Sequence, residues 1–343
     1  MSKKILLFVP MLAMSLVGCS NTGTHHDVSE YKAGEITLSD DEFNVLQLCD
    51  IHLSNKDNQE LQLNFLDLTI SEAVSDGVDL IVLDGDVFTF ADEATVNKFF
   101  SFLDGYNVPW TMTFGNHDEQ CYFSVTWLTS HLNKLGESSE SNCIFKDIQG
   151  DDLKGNANFY IDVKDKEGNP FERVIIMDSN RYHFSTDYMG YDYIYPEQIE
   201  WYKEVVNQTN SPKSLLFFHI PLPEFENAIK DRTDGKITGE DDLGGTNGEG
   251  ISNAKRNSGF FEVIEEEENT QGIFCAHDHE NDSGIYYHLE GFTYKVLLSY
   301  GTNSTDRIYS DKDKTGGQLI TVESDHSLTL TRYHHYYSEV EGK

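Results

Sequence analysis

Five short apolar runs along the chain each stop at a polar residue able to do chemistry. Phe43 to Cys49, Leu80 to Leu83, Trp110 to Phe114, Leu215 to Phe218 and Gly272 to Cys275 have strand length and are mostly branched and aromatic. Between the first three lie stretches with apolar residues at helical spacing. Leu61, Leu63, Phe65, Leu66, Leu68, Ile70 and Val74 mark one buried helix face, and Val96, Phe99, Phe100 and Leu103 mark another. A further helix is predicted over Pro196 to Val206, with proline in its first turn and Trp201 and Tyr202 turned into the core. This alternation reads as repeated βαβ units, an α/β fold. After Asn281 the pattern becomes strand-rich, with runs at Gly284 to Leu289, Thr293 to Ser299, Gln318 to Val322 and Ser327 to Arg332, so an antiparallel portion is expected to complete the fold. Two stretches carry no apolar pattern. Residues 20–40 read as a polar tether, and Asp231 to Gly259, rich in Gly, Asp, Asn and Ser, reads as a long loop, either a lid over the site or a passive insertion.

The residues that end the five runs are Asp50 and His52, then Asp86, then Asn116 with His117 and Asp118, then His219, then His277 and His279. All fall where strands reach their carboxyl ends, the edge at which open α/β sheets bind ligands. Mixed imidazole and carboxylate donors suit Zn, Fe or Mn better than Mg or Ca, which prefer oxygen alone. Together the residues read as a site for two metal ions.

Length and charge narrow the setting. A chain of 343 residues can form one catalytic domain, placed here at 41–337. Residues 1–18 combine Lys3 and Lys4 with an apolar run from Ile5 to Val17, too short for a membrane span and of the form of a secretory signal. Leu16-Val17-Gly18-Cys19 resembles a bacterial lipobox, so Cys19 is expected to carry the lipid, with 19–40 serving as lipidated cysteine and flexible tether. The expected location is extracytoplasmic, anchored to the bacterial cell membrane. The formal net charge is −34, and loss of residues 1–18 removes two lysines and no acidic residue, leaving about −36. Such a field argues against long nucleic acids as partners and leaves a small phosphorylated substrate acceptable, since exposed charge is screened beyond roughly 8 Å. Besides Cys19 there are Cys49, Cys121, Cys143 and Cys275, without the short paired spacings of a structural zinc site. Cys49 and Cys275 lie inside strand runs and read as buried thiols, which leaves Cys121 and Cys143 as the pair to test for a bridge.

The five segments in order, Asp50-Ile51-His52, Gly85-Asp86, Gly115-Asn116-His117-Asp118, His219 and Ala276-His277-Asp278-His279, resemble the motifs of the calcineurin-like metallophosphoesterase superfamily. The likeness spans roughly residues 43 to 300 and is greatest to a purple-acid-phosphatase-like branch of the cell-cycle-regulator type. The resemblance implies a four-layer α/β/β/α sandwich with mixed sheets. It also implies that Asp50, His52 and His279 hold one metal, that Asn116, His219 and His277 hold the other, and that Asp86 bridges them. Two such cations lower the pKa of a shared water, giving hydroxide for in-line attack on a phosphate ester, so no protein nucleophile is required. His117 is then the catalytic side chain beside the substrate, with Asp118 orienting its imidazole. Phosphomonoester hydrolysis is the favoured activity. The alternatives are a phosphodiesterase or nucleotide phosphohydrolase with the same site, or a noncatalytic lipoprotein that binds metal or a phosphorylated ligand.

The chain departs from the family pattern in three places. Thr89 stands where coloured purple acid phosphatases have a ligating tyrosine, Ala276 replaces the glycine before His277, and the segment Ser299 to Asn303 lacks a nearby arginine, with Arg181, Arg256 and Arg307 as candidates to replace it.

Overall fold

The computed structural model describes residues 27–148 and 153–341. The signal segment 1–18, Cys19 and the His25-His26 pair lie outside the described residues. In chain order the elements are β1 (Lys32–Thr37), β2 (Phe43–Leu48), α1 (Gln59–Ser75), β3 (Leu80–Asp84), α2 (Glu93–Asp104), β4 (Trp110–Thr113) and α3 (Val125–Gly136). Then come β5 (Phe159–Lys164), β6 (Pro170–Ile176), a short hairpin of β7 (Tyr182–Phe184) and β8 (Met189–Tyr191), α4 (Pro196–Val206), β9 (Lys213–Phe217) and α5 (Pro223–Thr233). The chain closes with α6 (Phe260–Glu267), β10 (Thr270–Cys275), β11 (Gly284–Tyr287), β12 (Val296–Tyr300), β13 (Thr315–Val322) and β14 (Leu328–His335).

Two mixed sheets face each other. One has the order β14-β13-β2-β3-β4 and the other β1-β5-β6-β9-β10-β12-β11. Strand alternation makes the layers. In the larger sheet Ile161, Val174, Ile176, Leu215, Phe217, Phe274 and Leu297 belong to the apolar cluster between the sheets, which also takes in the buried faces of α1, α2 and α3. Their neighbours in sequence, Tyr160, Ile175, Leu216, Ile273, Val296 and Leu298, turn the other way and pack with α4, α5 and α6. The result is the expected α/β/β/α sandwich. Polar capping sets the helix starts: Asn58, Asp92 and Ser124 each accept the backbone N–H three residues on, while α4 and α5 begin with proline.

All five apolar runs are strands, β2, β3, β4, β9 and β10, and the first three lie parallel and adjacent. The strand-rich end of the chain divides between the sheets. β13 pairs antiparallel with β2 and β14 with β13, whereas β12 runs parallel to β10 and only β11 returns antiparallel.

The tether predicted over 19–40 extends too far. Tyr31 is buried edge-on against Trp201 at 5.6 Å, and β1 adds a parallel edge strand beside β5, burying Ile36. This strand has little apolar pattern because most of its side chains reach outward, Lys32 to Glu35 and Asp162, and Glu35 to Lys164. Cys49, Cys121, Cys143 and Cys275 are all free, so the pair proposed for a bridge is not bonded. The thiol of Cys143 turns into the core toward the Leu132 carbonyl of α3 at 3.9 Å. Among the described residues no helix is long and apolar enough to cross a membrane.

Candidate metal centre

Beyond the ends of β2 and β3 the two strand extensions continue side by side. Asp50 N–H donates to the Gly85 carbonyl at 3.2 Å and His52 N–H to that of Asp86 at 2.9 Å. Bending the backbone this sharply puts Asp50, His52, Asp86 and His277 at φ of 52°, 47°, 49° and 78°. Each is a left-handed conformation that costs a non-glycine residue on the order of 1 kcal/mol or more, so the surrounding bonds must hold it. Ala276 is absent from this set, because the left-handed turn falls one residue later on His277. The alanine therefore replaces glycine without strain. At two positions glycine is demanded. A Cβ on Gly85, at φ 82°, would lie 2.5 Å from His219 Nδ1, and one on Gly115 would overlap the Asp86 carboxylate.

The turns gather Asp50, His52 and His279 into one buried group and Asp86, His219 and His277 into another, the donor atoms within each lying within 4.8 Å of one another. Each carboxylate divides its oxygens. Asp86 Oδ1 accepts the backbone N–H of His117 at 2.6 Å, while Oδ2 lies 3.2 Å from His219 Nε2 and 3.8 Å from His52 Nε2, between the two groups. Asp50 Oδ2 accepts the N–H of His277 at 3.1 Å, and Oδ1 lies 3.4 Å from His279 Nε2 and 3.9 Å from His219 Nε2. Six buried donor atoms, Asp50 Oδ1, His52 Nε2, Asp86 Oδ2, Asn116 Oδ1, His219 Nε2 and His277 Nε2, have no hydrogen-bond partner among the described residues. The close approach of His219 to Asp86 is thus not aligned as a hydrogen bond. Orphaned polar atoms at this depth are costly unless a cation satisfies them, and a set of imidazoles, carboxylates and one amide fits Fe, Mn or Zn.

The outer layer fixes which ring nitrogen faces inward. Nδ1 of His52 bonds to Thr89 Oγ1 at 2.7 Å, that of His219 to the Asp84 carbonyl at 2.9 Å, and that of His279 to the Tyr309 carbonyl at 3.0 Å, leaving each Nε2 for the centre. Thr89, in the position of the colour-giving tyrosine, is thereby a support for a ligand. Asn116 Nδ2 donates to the Tyr182 hydroxyl at 3.1 Å, which leaves its Oδ1 free. Burial pushes His52 down to about 4 and His277 down to about 3, so both are neutral and able to ligate at physiological pH. Burial also opposes charge on His219, but Asp86 and Asp50 outweigh it and push this histidine up to about 10. The reciprocal balance holds for Asp86, where burial is outweighed by His219 and the carboxyl stays well below its usual range. A proton on His219 and a cation compete for the same carboxylates, so metal uptake releases protons.

Asp118 does not orient His117, contrary to the expectation from the motif. Its two oxygens accept the backbone N–H groups of Asp86 (3.0 Å), Phe88 (2.9 Å) and Gly115 (2.8 Å), tying the loop after β3 to the loop after β4. The His117 imidazole is held instead by Gln120 Oε1 at 2.9 Å. The ring is partly exposed, unlike the ligands, and sits edge-on to His52 with centroids 5.2 Å apart.

The long loop is no free lid. Asp231 to Thr233 complete α5, and beyond them the loop is strapped to the segment carrying His277 and His279. Ser252 N–H donates to Asp278, Glu249 N–H to Asn281 Oδ1, and Gly248 N–H to the Glu280 carbonyl, while Asp282 and Thr246 bond to each other. Asp278, lying between the two ligands, also accepts the buried Tyr300 hydroxyl at 2.7 Å. Among the three candidate arginines, Arg181 pairs with Glu119, Arg256 with Asp187 at 3.0 Å, and Arg307 lies over the Tyr337 ring. Sequence reasoning missed three aromatic neighbours of the ligands. Tyr191 packs edge-on against His277 (centroids 4.4 Å apart), Tyr309 stacks on His279 (4.3 Å), and Tyr182 holds Asn116. The alternating aromatics of β7 and β8 were the available signal.

Seven donors delivered by five strand ends to one buried point define a metal-dependent hydrolase of phosphoric esters. The model of the calcineurin-like phosphoesterase family matches residues 43–281, and the chain belongs to that family. It is similar to probable inactive purple acid phosphatase 29 of Arabidopsis thaliana, 29% identical over 70% of this chain and 68% of the relative. It is also similar to phosphatase DCR2 of Saccharomyces cerevisiae, 29% identical over 57% of this chain and 33% of that protein. A dimetal phosphatase structure from Danio rerio shares the fold at 13% identity and a TM-score of 0.53, over 85% of this chain and 99% of that one.

Proposed function

We propose that this protein is an exported, lipid-anchored phosphatase acting on small phosphate monoesters through a dinuclear centre of Fe, Mn or Zn. The observation that carries the reading is the convergence of six buried donor atoms that have no hydrogen-bond partner among the described residues. Asp50, His52 and His279 would hold one ion, Asn116, His219 and His277 the other, with Asp86 Oδ2 placed to serve both. Cations so held supply positive charge for the phosphoryl oxygens and a water acidic enough to attack near neutral pH. His117 works beside them. With Nδ1 committed to Gln120, its Nε2 is the atom that passes a proton to the leaving oxygen or stabilises charge developing there. The network of Asp118 with three backbone N–H groups keeps Asp86 and the Gly115 turn in place without entering the chemistry.

The location rests on the sequence of residues 1–19, and the small substrate on the strongly acidic charge, which disfavours polyanions. The test is hydrolysis of p-nitrophenyl phosphate and of bis-p-nitrophenyl phosphate by the chain from residue 20, loaded separately with Mn, Fe and Zn. Faster turnover of the monoester is expected. Preference for the diester would move the assignment to a phosphodiesterase. No turnover with two metals bound would favour a noncatalytic binding protein, a reading that the name of the Arabidopsis relative keeps in view.

A further inference from the structure

The β7–β8 hairpin stands over the metal centre, and its register sorts its side chains. Tyr182 pairs with Tyr191 and Phe184 with Met189, so these four residues share one face, while His183 and Gly190 lie on the other. The back of the hairpin is tied down. His183 stacks on Tyr188 at 4.3 Å and lies 3.3 Å from the buried Asp192. The front is pressed on metal ligands only at its inner end, where Tyr191 meets His277 and Tyr182 bonds to Asn116. Its outer end, Phe184 and Met189, is 75% and 68% exposed. Tyr182 and Phe184 also border a cleft of about 450 Å³, of a size to admit a small organic group. The rest of that cleft is polar and includes two cations, Lys154 and Arg181, the second of them paired with Glu119.

An apolar surface continuous with a polar reaction centre implies a ligand that is apolar on one side and anionic on the other. We infer that Phe184 and Met189, continuing the surface of Tyr182 and Tyr191, form the platform on which the leaving group of the ester lies, and that the substrates are phosphate esters of alcohols bearing an aromatic or other flat apolar group. This rests on the phosphoesterase reading above and narrows it.

Benzyl phosphate and ethyl phosphate separate the platform from the chemistry, because their alcohols have similar acidity and differ by the ring. Burying a ring is worth about 1.5–3 kcal/mol, so kcat/KM for the benzyl ester should exceed that for the ethyl ester by about 10- to 100-fold. In Phe184→Ala/Met189→Ala that ratio should fall about tenfold or more, mainly through KM for the benzyl ester. Binding gives an answer independent of turnover. Calorimetry on the metal-loaded chain should show benzylphosphonate binding at least about tenfold more tightly than ethylphosphonate, with the advantage lost in the double variant. Equal affinity for the two phosphonates in the parent chain, or an advantage unchanged in the variant, would overturn the platform. Phosphonate discrimination without hydrolysis of either ester would instead leave the platform standing and remove the phosphatase reading.

Discussion

At the residue scale, the site is a set of carboxylates with divided duties. Asp50 and Asp86 each give one oxygen to a backbone N–H and keep the other for the centre, while Asp118 gives both oxygens to backbone. This separates residues placed to hold metal from residues that hold the loops. His117→Ala should therefore retain both metal ions and slow turnover by roughly 10²–10⁴-fold, the contribution of a positioned acid or base. Metal analysis and steady-state rates check it, and loss of metal would show that the ring ligates. Gly115→Ala should behave in the opposite way. Its Cβ would occupy the place of the Asp86 carboxylate, so metal affinity should fall before chemistry is reached, as a metal titration followed by calorimetry would show. The seven candidate ligand positions were legible in the sequence because each sits two to four residues beyond an apolar strand. The partner of His117 was not, because adjacency in the motif says nothing of where the Asp118 side chain points once the backbone turns. Tyr182, Tyr191 and Tyr309 were missed for a different reason: they lie 30 or more residues along the chain from the side chains they touch, and the alternation of aromatics in β7 and β8 does not say what those strands face.

At the element scale, strands with strong apolar content were readable and weakly patterned pieces were not. β2, β3, β4, β9 and β10 are buried along nearly their whole length, whereas β1 shows one buried residue in six, a pattern that reads as tether. The loop between α5 and α6 was rightly read as irregular, but its hydrogen bonds to the segment around Asp278 make it a strap for His277 and His279. The start of the β2–β3 pairing carries a testable imbalance. Asp79 accepts the Asn44 N–H at 2.9 Å, yet burial raises it to about 6. A carboxyl raised above its ordinary value of about 3.9 stabilises the fold when protonated, so its contribution is full below about pH 4 and is lost as pH rises through about 6. Asp79→Asn keeps an acceptor without the charge. Its melting temperature should exceed that of the parent at pH 7.5 and match it near pH 4; a variant less stable at pH 7.5 would show that the ionised carboxylate is favourable there.

At the scale of the whole molecule, the two facing sheets bring chain segments more than two hundred residues apart to one point, Asp50 from β2 and His277 from β10. Gln47 shows how closely the sheets join, donating to Asp84 in its own sheet at 2.6 Å and to the Cys275 carbonyl in the other at 3.2 Å. With neither sheet complete at the centre alone, metal binding and sheet packing are coupled, and cations should raise the unfolding temperature of the whole domain. The most direct test of the two-metal account is the metal content of the chain from residue 20 after reconstitution, measured beside Asp86→Asn by mass spectrometry of the bound elements. Two ions per chain, with occupancy and phosphatase activity both lost in the variant, are predicted. A single ion in the parent, or two ions and normal turnover in Asp86→Asn, would contradict the account.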